Sequence, residues 1–78
     1  MSKKVIVYSA EWCHWCHKVK DFLKENSVEF EERNVDNQEY AKESMEKSGQ
    51  AGIPVTDIDG QIVIGFDVAK IKELLGLE

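Results

Sequence analysis

The chain has 78 residues, carries a formal net charge of −5, and is 42% hydrophobic and 32% charged. That length fits one domain with a small core, and the balance suits a folded chain rather than a disordered one. The acidic charge argues against a nucleic-acid partner, and no apolar stretch approaches the roughly 18 residues of a membrane helix.

Lys3-Lys4 and the run that follows fall short of a signal peptide, whose apolar core needs ~7–15 residues. The chain is therefore read as cytoplasmic, and Val5-Ile6-Val7-Tyr8 as a buried strand covered on both faces. From Cys13 to Asn26 the pattern turns helical, with Val19, Phe22 and Leu23 on one face and charged residues on the other. Val28 to Val35 reads as a second, more exposed strand anchored by Val28, Phe30 and Val35. Asp36 or Asn37 can cap a helix that runs to about Ser48 and stops at Gly49, with Tyr40, Ala41, Ser44 and Met45 as its buried stripe.

Val55 to Ile58 and Gln61 to Ile64 flank Asp59-Gly60, a strong hairpin signal. Asp67 caps a last helix carrying Val68, Ile71, Leu74 and Leu75. The order is strand, helix, strand, helix, hairpin, helix (βαβαββα). The first strand–helix–strand unit implies a parallel pair with a right-handed crossover, and the hairpin adds antiparallel strands. The expected fold is an α/β domain over residues 1–78, a mixed four-stranded sheet with three helices on its two faces. Asp57 has no evident role in a strand that should be central.

The two cysteines, Cys13 and Cys16, enclose too short a loop for their disulfide to be an effective staple. In a reducing compartment a close pair is redox-active or metal-binding more often than structural. Cys13-His14-Trp15-Cys16 follows a strand and opens a helix. A thiolate there meets unpaired N–H groups and the positive end of the helix dipole, so Cys13 should have a lowered pKa and be the nucleophile. Cys16, nearly a turn further on, should be the resolving thiol.

Three other readings compete. Cys13 to His17 also fits a haem c attachment site, which the strands argue against. Zinc would need four ligands crowded into five residues, which cannot surround a tetrahedral ion. Two inert core cysteines fit poorly beside Trp12, His14 and Trp15, which suggest an exposed site. His14 either stabilises the thiolate or is solvated and silent; Trp15 is an aromatic platform; Trp12 is open between platform and packing; His17 faces solvent without a role. Pro54, the lone proline, either starts a strand or forms a cis Ile53–Pro54 bond opposite the cysteines, leaving the Ile53 backbone free to pair with a peptide.

Taken together, the sequence resembles a glutaredoxin of the thioredoxin-fold superfamily. Tyr8-Ser9 leading to Cys13-His14-Trp15-Cys16-His17 resembles that family's strand, C-P-Y-C and following histidine. Gly52-Ile53-Pro54-Val55 resembles its cis-proline element, and Gly65-Phe66-Asp67 its glycine–x–aspartate before the last helix. The resemblance implies a thioredoxin-like fold and a monomeric thiol–disulfide oxidoreductase, with no tightly bound cofactor and no metal. It also implies disulfide-containing proteins as substrates, and glutathione docked along Trp15, Ile53, Pro54, Gly65, Phe66 and Asp67. Some members instead bridge an iron–sulfur cluster between two protomers. Ala10, Ala51 and Gly52 stand where the family often carries basic residues, and Ile64 replaces one of a glycine pair. These changes weaken the attraction for glutathione's carboxylates and narrow its room. Phe66 resembles the redoxins served by thioredoxin reductase, the alternative electron donor. Restoring a lysine at Ala10 is expected to speed glutathione use.

Overall fold

The structure, a computed structural model, describes residues 3–77. Its elements are β1 (Val5–Ser9), α1 (His14–Glu25), β2 (Glu31–Asn34), α2 (Gln38–Ser48), β3 (Val55–Ile58), β4 (Gln61–Ile64) and α3 (Val68–Leu75). They form one four-stranded sheet in the order β2-β1-β3-β4. β1 runs parallel to β2 and antiparallel to β3, and β3 runs antiparallel to β4. This is the mixed sheet expected from the sequence.

All five residues of β1 are buried, as a strand flanked on both edges and covered on both faces must be. Alternation sends Val5 and Val7 to one face, where they pack with Val19 and Leu23 of α1, Ile58, Val63 and Ile71 of α3. Ile6 and Tyr8 take the other face, with Val55 and the half-buried Val35 and Ile62. Leu23 and Ile71 are fully buried, each stabilising the fold by roughly 1.5–3 kcal/mol. The hairpin turns at Asp59 and Gly60, whose φ values of 51° and 90° are the two left-handed positions a tight turn between twisted strands requires.

The second strand is shorter than expected. Val28 does not begin it, because its N–H donates to Leu23 O at 2.9 Å and finishes α1. Ser27 sits at φ 58°, so the chain leaves the helix through a left-handed residue. Val28 and Phe30 still pack on the core, but from the connection rather than from the ladder.

The expected buried stripe of α2 is also corrected. Of the two candidates, Asn37 caps the helix by accepting the Glu39 N–H at 2.9 Å, and Gly49 ends it at φ 73° as expected. Ser44 is buried, but Met45 is half exposed. The reason is a polar network between α2 and the sheet. Glu43 accepts from the Tyr8 hydroxyl and from Arg33. Lys47 donates to Asp57 Oδ2 at 2.7 Å and lies 5.3 Å from the centre of the Tyr8 ring. Asp57 Oδ1 accepts the Gly60 N–H at 2.7 Å. Asp57 thus ties α2 to the hairpin turn from inside a central strand. Burial pushes the Tyr8 phenol up, and its bond to Glu43 adds to this. That same bond, with Arg33 close by, holds the Glu43 carboxyl below the usual range.

Candidate functional site

Strand register brings the site together. Tyr8 pairs with Val55, and Val55 with Ile64. The segments just after β1, just before β3 and just after β4 therefore emerge at one end of the sheet. They carry Cys13, Ile53-Pro54 and Gly65-Phe66, far apart in sequence.

Cys13 is the N-cap of α1, with φ −92° and ψ 109°, and Cys16 lies in the first turn. The two form a disulfide with Cα atoms 5.2 Å apart. The Cys16 N–H donates to Cys13 Sγ at 3.2 Å, the bond a capping side chain makes to an otherwise unpaired helical donor. In the reduced protein that N–H and the helix dipole favour negative charge on Cys13 Sγ. Cys13 is 7% exposed and Cys16 is fully buried, so an attacking group reaches Cys13 first.

Trp15, Ile53, Pro54, Gly65 and Phe66 line an open groove of about 330 Å³ beside the pair. The sequence had singled out all five. Trp15 stacks on Phe66 with ring centres 6.0 Å apart, and Phe66 meets Phe22 edge-on at 6.5 Å. The Ile53–Pro54 peptide is cis. Ile53 also packs against Ala10, Cys13 and Cys16, so it joins the groove to the thiols. Its backbone makes no hydrogen bond among the described residues. Gly65 sits at φ 79°, where a side chain would be strained, and its N–H donates to Pro54 O at 2.9 Å. Asp67 stands outside the lining and caps α3 by accepting the Lys70 N–H at 3.1 Å. Ile64, expected to narrow the groove, is half exposed and also outside the lining.

Three placements were unforeseen or left open by the sequence. His17 is exposed, yet its Nε2–H donates to Glu11 O at 2.7 Å and ties down the loop before Cys13. Ala10 is fully buried against both cysteines. Trp12, open between packing and platform, is 73% exposed.

The glutaredoxin family model matches residues 5–63, which spans both cysteines and the cis-proline element. The chain belongs to the glutaredoxin family. Among curated relatives of this glutaredoxin is an "uncharacterized glutaredoxin-like 8.6 kDa protein in rubredoxin operon" of Clostridium pasteurianum. It is 40% identical over 70 residues, covering 88% of this chain and 93% of the relative. Glutaredoxin 3 of Escherichia coli K12 is 34% identical, covering 81% and 77% of the two chains. The glutaredoxin-like protein NrdH of Lactococcus lactis IL1403 is 33% identical, covering 90% and 97%. Among solved structures, a mutant form of a thioredoxin-like protein superposes with a TM-score of 0.90 at 34% identity, covering 96% and 97%. The glutaredoxin of Archaeoglobus fulgidus gives 0.83 at 28% identity, covering 92% and 85%. The fold is thioredoxin-like, and the protein is a thiol–disulfide oxidoreductase whose cysteine pair is Cys13 and Cys16.

Proposed function

We propose that this glutaredoxin reduces disulfides in polypeptides and is re-reduced chiefly by a protein dithiol of the thioredoxin-reductase class, with glutathione a slow donor. The carrying observation is the groove beside Cys13, whose lining of Trp15, Ile53, Pro54, Gly65 and Phe66 offers apolar surface and no cation. A tripeptide with two carboxylates gains little there, because charge-assisted hydrogen bonds are the strong ones. A polypeptide gains apolar contact, and its backbone can pair with the unbonded Ile53 as an added strand.

In the proposed cycle the Cys13 thiolate attacks one sulfur of the substrate disulfide. The substrate's S–S bond breaks, and its departing thiolate takes a proton from solvent. A mixed disulfide remains on Cys13. Cys16 gives up its proton and attacks Cys13 Sγ, forming the intramolecular disulfide and releasing the second substrate thiol. Two electrons have passed to the substrate. A donor dithiol restores Cys13 and Cys16 by the same exchange in reverse. The protein works as a monomer in the cytoplasm, where such donors are kept reduced.

A second reading, turnover of glutathione mixed disulfides, has support in the free Ile53 backbone and in the start of α3 beside Gly65-Phe66. The test supplies the oxidised protein with glutathione and with thioredoxin reductase separately and follows reduction of Cys13–Cys16. Faster reduction by the reductase is expected. Turnover with glutathione at an ordinary glutaredoxin's rate, together with failure to accept reductase electrons, sinks the reading. In the same assays Cys13→Ser abolishes reduction, while Cys16→Ser traps a mixed disulfide through Cys13.

A further inference from the structure

Ile53 separates two hollows. One is the groove already described. The other, about 120 Å³, lies on the α2 side, and its walls include Trp12, Ala41, Met45, Ala51 and Ile53. It continues into a shallower depression along α2 through Ala41 and Met45. Four large hydrophobic residues stand exposed among the described residues: Trp12, Trp15, Met45 and Ile64. Trp12 and Met45 line the second hollow, Trp15 lines the first, and Ile64 precedes Gly65 of the first. This concentration beside a reactive thiol is not the scatter of single apolar residues found on ordinary surfaces.

We propose that the hollow between Trp12 and Met45 is a second subsite that takes one aliphatic side chain of the polypeptide whose disulfide Cys13 attacks. The inference rests on the reading that polypeptides are the substrates. Three observations select this occupant. The hollow proper, about 120 Å³, has room for a single side chain, and the depression it opens into runs along exposed residues of α2. It shares Ile53 with the first groove, so one peptide running past Ile53 meets both. Met45 and Trp12 leave the apolar core to line it, and Met45 is a flexible thioether of the kind adaptable binding surfaces use.

The experiment uses the full chain and a set of synthetic peptides, each closed by an internal disulfide. One set places a leucine in turn at each position from two before to two after the attacked cysteine. Its partner set carries serine there. The readout is kcat/KM with thioredoxin reductase supplying electrons, and hydroxyethyl disulfide is the small substrate. At one leucine position the wild type should prefer leucine over serine by about tenfold, the scale at which pockets discriminate small apolar groups. Met45→Ser should erase that preference and leave hydroxyethyl disulfide reduction within about twofold, again small on that scale. Trp12→Ala, which removes the facing wall, should erase the same preference at the same position. A preference that survives both variants, or no preference at any position, overturns the subsite. Failure to reduce any peptide, with glutathione mixed disulfides still turned over, overturns the polypeptide reading beneath it as well. A dimer in sedimentation equilibrium that Met45→Ser dissociates would assign the surface to a second copy and refute the proposal.

Discussion

Removing the Asp57 carboxylate tests whether the polar network under α2 holds the fold without taking part in the chemistry. Asp57 is 8% exposed and receives two hydrogen bonds, from Lys47 Nζ and from the Gly60 N–H, each at 2.7 Å. Hydrogen bonds to a charged group contribute about 1.5–3 kcal/mol each. The Lys47 bond belongs at the low end, because its side chain is 31% exposed and keeps Glu43 at 3.6 Å. Asp57→Ala should therefore cost about 3 kcal/mol, against a total stability of roughly 4–12 kcal/mol for a chain this long. The melting temperature should fall by about 12–24 °C. Asp57→Asn keeps an oxygen for Gly60 and should lose about half as much. Urea unfolding gives the free energies, and a double-mutant cycle with Lys47→Met gives the coupling. Asp57 lies two residues beyond Val55, away from the cysteine end, so alkylation of Cys13 per folded molecule should not change. A loss below about 1 kcal/mol, or coupling below about 0.5 kcal/mol, would refute the account of the network.

Phe66→Ala removes the surface on which Trp15 stacks and the ring that meets Phe22. It should cost about 2 kcal/mol, since each aromatic pair contributes roughly 0.5–1.5 kcal/mol beyond area. Denaturation should show that loss, and KM for a protein disulfide should rise while Cys13 alkylation stays unchanged. Lys20, with Ser9 assisting, holds the Glu32 carboxyl below the usual range. A depressed folded pKa stabilises above the unfolded value of ~4.3 and loses that contribution as pH falls through the folded pKa. The urea midpoint of the wild type should thus exceed that of Glu32→Gln at neutral pH, and the gap should begin to narrow as pH falls below ~4.3 and close once it is below the depressed folded pKa. Ala51 is exposed, so Ala51→Lys can offer a cation to a glutathione carboxylate. One solvent-exposed ionic contact of about 1 kcal/mol should raise the glutathione-driven rate about fivefold and leave the dithiothreitol-driven rate alone. Ala10, fully buried against the cysteines, is the wrong place for that cation, and Ala10→Lys should mainly lose stability.

What the sequence made legible was carried by short-range signals. Asp59-Gly60 between two β-prone runs, Asn37 and Asp67 as caps, Gly49 as a stop and Cys13 before a helix all act within a few residues. The groove was legible through the family resemblance, since nothing local joins Trp15 to Phe66. What stayed hidden depends on partners across the fold. Hydropathy assigned Met45 to the core because it is apolar, whereas α2 turns Glu43 and Lys47 inward to meet Tyr8 and Asp57. Val28 looked like the start of a strand because it is β-branched, yet its N–H closes the end of α1. His17 showed no role because its acceptor is a backbone carbonyl, which no side-chain pattern reveals.

The network and the site are joined through register. Ile6 pairs with Asp57 and Tyr8 with Val55, which puts Asp57 and Val55 on the α2 side of the sheet and Thr56 and Ile58 on the other. A slip of one residue between β1 and β3 would turn every β3 side chain to the opposite face. Asp57 would then enter the apolar cluster of Val7, Val19 and Leu23, away from Lys47. An unpaired buried carboxylate costs several kcal/mol, a large share of this domain's stability. The same slip would carry Ile53 and Pro54 one residue along β1, moving them against Cys13 by about 3.3 Å. In the proposed cycle that displacement would part the substrate sulfur from Cys13 Sγ, because the substrate backbone is there taken to lie on Ile53. Asp57 and Lys47 therefore act on the site through the fold alone: a one-residue slip that would disassemble the groove would also part a buried carboxylate from its partner.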